Sequence, residues 1–232
     1  GGSVGDIWGC KTVRNDKGEV VIDEGTGLPV VSTEVEYVGS SSPDWKGGIY
    51  NEFAYKGFKF SFQLDGQWKG IAFSQSHHKL TELGKLGHTL NGRLPGTHYY
   101  MDASDPRIAA AGLAPLSGAY MIGDGVIVNG DGTYRPNDKV VTCERWYYNY
   151  YRLANVEENS FDTSYLKLRE MRLEYSLPKG LLAKTPLKKA VVALYGRNLF
   201  VITDFPAFDP EAAALNGSSI VPGVEMGQLP ST

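Results

Sequence analysis

Tyr165-Leu-Lys-Leu-Arg-Glu-Met-Arg-Leu-Glu-Tyr-Ser-Leu-Pro178, followed after a short break by Ala190-Val-Val-Ala-Leu-Tyr-Gly-Arg-Asn-Leu-Phe200, decides the fold class. From Glu170 onward the first segment divides by twos, Met171, Leu173, Tyr175 and Leu177 against Glu170, Arg172, Glu174 and Ser176. Successive side chains of a strand point to opposite faces, so this segment reads as a strand with one apolar and one charged face. Before Glu170 the phase inverts, with Leu166 and Leu168 in the apolar positions. A one-residue change of face predicts a bulge here, or a strand leaving one environment for another. The second segment, about 188–202, is apolar on both faces near Val191–Leu194, and its orientation stays ambiguous.

Working outward, Phe58-Lys-Phe-Ser-Phe-Gln-Leu-Asp65 alternates without a break. Phe58, Phe60, Phe62 and Leu64 share one face; Lys59, Ser61, Gln63 and Asp65 share the other. It follows Ile49-Tyr-Asn-Glu-Phe-Ala-Tyr55 across Lys56-Gly57, a two-residue hairpin signal. Such a strand suits a soluble sandwich with one core, or a membrane barrel with lipid outside and a wet lumen inside. Connection lengths bear on the choice. Lys56-Gly57 and 178–187 are short, whereas 74–163 and 203–230 are long and rich in Gly, Pro, Asn and Asp. Outer-membrane barrels alternate short periplasmic turns with long extracellular loops. Taking 1–9, 49–55, 58–73, 164–177 and 188–202 as successive strands places every short connection on one side and every long one on the other.

Composition narrows the classes further. The chain has 232 residues, 42% hydrophobic and 21% charged, and its 28 Gly and 12 Pro fit an all-β chain with many turns. A net charge of −3 gives no electrostatic footprint for nucleic acid. Cys10 and Cys143 are the only cysteines, too few for a disulfide scaffold, and no Cys/His spacing reads as a zinc site. No run of 18 apolar residues offers a helical span, which says nothing of barrel strands of 9–11 alternating residues. No cofactor or metal is expected.

The order of these segments closely resembles the C-terminal end of the SusC/RagA-like TonB-dependent transporters of the outer membrane. The likeness rests on Leu173-Glu-Tyr-Ser-Leu-Pro178, Asn198-Leu-Phe200, Asp209-Pro-Glu211 and Gly223-Val-Glu-Met-Gly-Gln-Leu-Pro230. Val4-Gly-Asp-Ile-Trp-Gly9, Asp16–Asp23 with Gly25–Pro29, and Tyr37-Val-Gly39 with Pro43–Gly48 extend it over nearly all the chain except 75–160. The resemblance implies antiparallel strands of a barrel of about 22 strands with a plug in its lumen. Residues 1–232 would form one part of that barrel, with extracellular loops at about 74–163 and 203–232. Asn198, Leu199, Phe200, Asp209, Pro210 and Glu211 would be structural. The resemblance further implies uptake of oligosaccharides or peptides, TonB as the energy source, outer-membrane lipid around the barrel and a SusD-like lipoprotein as a lid. Plug, TonB-contacting segment and a last strand are missing from the pattern, so the chain is expected to be a C-terminal piece of a longer polypeptide.

Several residues invite a chemical reading. Trp146-Tyr-Tyr-Asn-Tyr-Tyr151 lies in the long loop. Its rings could stack on sugars, which makes Trp146, Tyr147, Tyr150 and Tyr151 the candidate substrate-binding residues, or pack a small loop core. Asp209 and Glu211 could be a hydrolytic acid pair, which must face each other across a substrate, or could order a loop. His77 and His78, if on a strand, point to opposite faces. Asn129-Gly-Asp-Gly132 has calcium-type oxygen donors without the closing Glu, and is well explained as a hairpin turn. Arg169, Glu170, Arg172 and Glu174 could line a polar lumen or a solvated sheet. The competing classes are a secreted β-sandwich carbohydrate-binding module and a β-sandwich glycoside hydrolase. If Phe58, Phe60, Phe62 and Leu64 form an exposed band the barrel reading stands; if they face a second sheet it fails.

Overall fold

A computed structural model describes residues 2–113, 119–206, 209–211, 213–216 and 219–227. In chain order, β1 (Asp6–Gly9) and β2 (Glu36–Ser40) pair with each other, and β3 (Trp45–Tyr55) and β4 (Phe58–Trp68) form a long hairpin. A middle region follows with β5 (Ile71–Ser74), α1 (Gln75–Glu82), α2 (Pro106–Ala110), β6 (Tyr120–Met121), β7 (Val126–Val128), β8 (Tyr134–Pro136), β9 (Val141–Thr142), α3 (Cys143–Tyr150) and β10 (Ser160–Asp162). Then come β11 (Tyr165–Ser176), α4 (Lys179–Leu182), β12 (Val191–Thr203), β13 (Ala214–Asn216), β14 (Ser219–Val221) and β15 (Val224–Glu225).

The long strands make one antiparallel sheet, in the order β12-β11-β4-β3. It is an open sheet, and the described residues do not close a barrel. Lys56 (φ 45°) and Gly57 (φ 87°) both take positive φ, the requirement of the I′ turn whose twist matches the flanking strands. The two short connections, this turn and the segment carrying α4, lie at the same end of the sheet, because Tyr175 pairs with Phe58 and Val192. Everything else joins the opposite end.

Three expected strands differ. The segment 1–9 does not enter the sheet; only Asp6–Gly9 is a strand, and it pairs with Glu36–Ser40. The strand expected at 49–55 begins earlier, at Trp45. The strand expected at 58–73 is two, because Lys69 (φ 61°) and Gly70 (φ 85°) turn the chain and β5 leaves for a sheet with β10 and β15. The sheet therefore has four strands, not five. Residues 228–232, where the chain was expected to stop one strand short, lie outside the described residues.

Register fixes the faces, since directly paired residues share one. Phe58, Phe60, Phe62 and Leu64 pair with Tyr55, Phe53, Asn51 and Ile49 on one side, and with Tyr175, Leu173, Met171 and Leu168 on the other. Val192, Leu194, Phe200 and Ile202 continue the face on β12, which resolves the orientation left ambiguous there. Apart from Asn51 and glycines this face is apolar. It lies open, with Phe53 59% and Leu194 72% exposed, Phe58 half-exposed, and Phe60, Phe62 and Leu64 intermediate. Trp45 and Trp68 pair at one end of it and Tyr55, Phe58 and Tyr175 meet at the other. Ten residue steps separate the two aromatic ends, about 33 Å along the strand, or roughly 25 Å when tilted as barrel strands are.

The phase change near Glu170 is a bulge. Leu168 pairs with Leu64 and Glu170 with Gln63, leaving Arg169 as the extra residue. The neighbouring strand answers at the same level, where Asn198 and Leu199 stand opposite Arg169 and Asn198 takes φ 46°. Asn tolerates the left-handed region better than other side-chain-bearing residues. Bulging Arg169 out of the ladder lets Leu166, Leu168, Met171 and Leu173 all keep to the apolar face despite the odd spacing.

The long connection 74–163 is folded, and 11–31 folds with it. Ile22, Leu28, Met121, Ile127, Val141, Cys143, Trp146 and Tyr147 form its core. The β7–β8 hairpin turns through Asn129–Thr133, with Asn129 N donating to Thr133 O at 2.7 Å and Gly132 at φ 83°.

Candidate functional site

The polar face of the sheet carries a charged cluster where β11 meets the segment 209–211. Tyr165, Lys167 and Asp65 belong to this face by register, and the bulge turns Arg169 toward it. Lys167, 4% exposed, donates from Nζ to Asp209 Oδ1 at 2.5 Å and to Glu211 Oε2 at 2.7 Å. Arg169 Nε donates to Asp65 Oδ2 at 2.6 Å while its Nη2 binds Glu211. Tyr165 Oη donates to Glu211 Oε1 at 2.6 Å, and Lys46 reaches the same oxygen at 3.2 Å. Asp209 Oδ1 also accepts from Glu211 N at 2.9 Å, which fixes the turn. Burial alone would push the Glu211 carboxyl up; the bonds from Lys167, Tyr165 and Arg169 outweigh it and hold the group at about 2. Both carboxylates of the Asp209–Glu211 segment are thus spent on cations of the sheet. The cluster holds the segment against the polar face.

Further along that face Lys59 pairs with Glu52 at 2.8 Å and Arg172 with Glu174 at 2.5 Å, both part-exposed. Of the four charged residues read as a lumen lining, Arg169 and Arg172 hold ion pairs and Glu174 is Arg172's partner.

No family model matches the chain. Over 75 residues, 31% of the chain and 8% of the relative, it is 35% identical to TonB-dependent receptor P3 of Formosa agariphila. The RagAB peptide importer in its open-open state superposes with a TM-score of 0.52 at 17% identity, over 98% of this chain and 22% of that one. The RagAB peptide transporter gives 0.50 at 18% identity, over 97% and 21%. The chain is thus similar over 31% of its length to a TonB-dependent receptor, and its fold is that of part of the RagAB chains. It spans about a fifth of the length of the solved chains it matches.

The aromatic run lies on α3. Thr142 caps the helix by accepting from Arg145 N at 3.2 Å. Trp146 and Tyr147 are buried in the loop core, and the Trp146 indole lies so close over Gly123 that any Cβ there would collide with it. Tyr147 Oη donates to His88 O at 2.9 Å and Asn91 O at 3.1 Å; Tyr150 Oη donates to Glu158 at 3.0 Å. Tyr150 and Tyr151 are partly buried, packed on that core. The helix presents Arg145, Tyr148 and Asn149 outward instead, a face that the run of aromatic residues obscured in the sequence.

His77 and His78 sit on α1, not on a strand, and both are buried. His77 Nδ1 lies 3.2 Å from Asn159 Oδ1, and its ring stacks on His88 at 5.2 Å between centroids. Burial, then the neighbouring His77, pulls His88 down to about 4; burial also lowers His77. Among the described residues no group of three His, Cys, Asp or Glu is placed to hold a metal.

The Gly223–Gly227 stretch returns to this region. Val224 and Glu225 pair in parallel with Phe73 and Ser74. Glu225, fully buried, accepts from Ser74 Oγ at 2.6 Å, Ser76 Oγ at 2.8 Å and Ser76 N at 3.3 Å, capping α1 with a carboxylate. Helix N-termini favour negative charge. Gly223 has φ 76°, and a Cβ there would lie 2.5 Å from the Ser41 Cβ, so both conformation and space demand glycine.

Proposed function

We propose that the chain forms part of the wall and extracellular loop structure of an outer-membrane importer that takes up oligosaccharides or peptides. The observation that carries this reading is the two-faced sheet: an open apolar face edged by aromatics at both ends, backed by a face of paired charges. That arrangement matches lipid on one side and a wet lumen on the other. A SusD-like surface lipoprotein would close the extracellular mouth, and TonB would supply energy through parts of the receptor outside this chain. Trp146, Tyr147, Tyr150 and Tyr151 would frame the loop structure that bounds the substrate chamber, with Tyr150 and Tyr151 nearest to its surface. Asn198, Leu199 and Phe200 would set the bulge, and Asp209, Pro210 and Glu211 would dock the outer loop onto the lumen face.

A hydrolase reading fits poorly. A glycosidase needs one carboxyl raised toward neutrality as its acid, whereas Glu211 is held at about 2 and shares Lys167 with Asp209. The test is growth and uptake. Cells whose intact receptor gene is deleted are expected to lose import of one class of oligomer and regain it on complementation, with the receptor in the outer-membrane fraction. Unchanged uptake of every oligosaccharide and peptide tried would sink the reading.

A further inference from the structure

The outward face of α3 borders a shallow groove of about 640 Å³, lined among others by Arg145, Tyr148, Asn149, Arg152 and Asp23. Positions 145, 148 and 149 follow the helical spacing that places residues on one side, opposite the buried Cys143, Trp146 and Tyr147, and Arg152 follows just past the C-cap Tyr151. Among the described residues neither Arg145 nor Arg152 has a carboxylate partner. The Arg152 Nε is buried and finds no hydrogen-bond acceptor. Asp23, at the rim, is turned to Thr26, whose N and Oγ1 donate to it at 2.7 and 2.6 Å. Tyr148 is 56% exposed and offers a ring beside the two guanidiniums.

We propose that this groove is a subsite for an acidic oligosaccharide, its carboxylate or sulfate groups held by Arg145 and Arg152 and a sugar ring stacked on Tyr148. Guanidinium forks match planar or tetrahedral oxyanions bidentately, and aromatic faces suit sugar rings. Both arginines line the one groove, Arg145 from the helix and Arg152 from just beyond its C-cap, so the two can hold separate acid groups of one chain of sugars. An extended acidic peptide fits less well. It would seek a free strand edge, and the rim backbone is already used: Val30 N donates to Val21 O, Val30 O accepts from Val13 N, and Leu28 O accepts from Asp23 N. The proposal rests on the importer reading and names the substrate class for it.

The test measures binding to the full detergent-purified receptor by calorimetry. The probes are hyaluronan hexasaccharide, chondroitin 4-sulfate hexasaccharide, neutral chitohexaose and hexaglutamate. At least one acidic sugar should bind ten or more times tighter than chitohexaose. Arg145→Gln and Arg152→Gln should each weaken it about tenfold, as loss of one charged hydrogen-bonding pair does. Tyr148→Ala should weaken it while Tyr148→Phe restores it. Unchanged melting temperatures would show that the variants are folded. Equal binding of acidic and neutral sugars, no binding of either acidic sugar, or a preference that survives both Arg variants overturns the proposal. Hexaglutamate binding as tightly, with the same Arg dependence, overturns it in favour of a peptide. Uptake lost on deletion of the receptor gene would leave the importer reading standing in each of these cases.

Discussion

Lys167 Nζ lies 2.5 Å from Asp209 Oδ1 with both side chains almost wholly buried, 42 positions apart in sequence. A buried charge stripped of its partner is strongly destabilising, by about 3–5 kcal/mol. Lys167→Met should therefore free the 209–211 segment, which would show as protease cleavage near it and a lower melting temperature of the receptor. Lys59→Met, in the exposed pair with Glu52, should have a much smaller effect, because solvent screens that pair. Equal effects of the two variants would disprove a structural role for the cluster.

Acid should loosen the same junction. The folded Glu211 carboxyl is held at about 2, below its ordinary value of 4.5. A depressed acid contributes stability that is present above its unfolded value and lost as pH falls through the folded one. Hydrogen exchange at 209–211 should rise between about pH 4.5 and 2, and Glu211→Gln should flatten that dependence while raising exchange at neutral pH.

The stacked imidazoles give a second window. His88, pulled to about 4, binds protons less readily in the folded loop core than in the unfolded chain, where its value is 6.5. Stability of this region should then fall as pH drops from about 6.5 to 4. Proton exchange measured by mass spectrometry over 75–90 and 143–151 at pH 7 and pH 5 should show the change, and His88→Gln should remove most of it.

How much of this was legible in the sequence depended on period. β4 and the later part of β11 declared themselves because their side chains alternate between an apolar and a polar face, and even the bulge at Arg169 showed as an inversion of phase, whereas β12, apolar on both faces near Val191–Leu194, needed its register. The loop core was opaque. Its helices α1 and α3 have only eight residues each. Buried His77, His78, Thr81, Asn155 and Asn159 interrupt any apolar pattern, and 11–31 joins it from far away in the chain. Asp209 and Glu211 stood out as a motif, but their partners Lys167, Arg169 and Lys46 could be assigned only once register was known. Near α3 the aromatic residues drew attention to the packed side, while the arginines lie on the other.

The apolar face makes a directional claim. Phe62→Arg should impair assembly by about 2–4 kcal/mol, the cost of a cation near the bilayer midplane. Gln63→Arg, on the opposite face, should be tolerated. The amount of heat-modifiable, folded receptor in outer membranes would compare the two. Similar yields would argue that lipid does not touch Phe62.

The bulge at Arg169 behaves like a frameshift suppressor written in three dimensions. A strand has a reading frame of two, and this one contains an odd insertion that is corrected in place by Asn198 and Leu199 on the neighbouring strand. Deleting Arg169 would leave Leu166, Leu168, Met171, Leu173 and Tyr175 in strict alternation and in register with β4, and would remove the cation that holds Asp65 and Glu211. An odd residue inserted without a bulge would instead exchange the apolar and charged sets on everything beyond it.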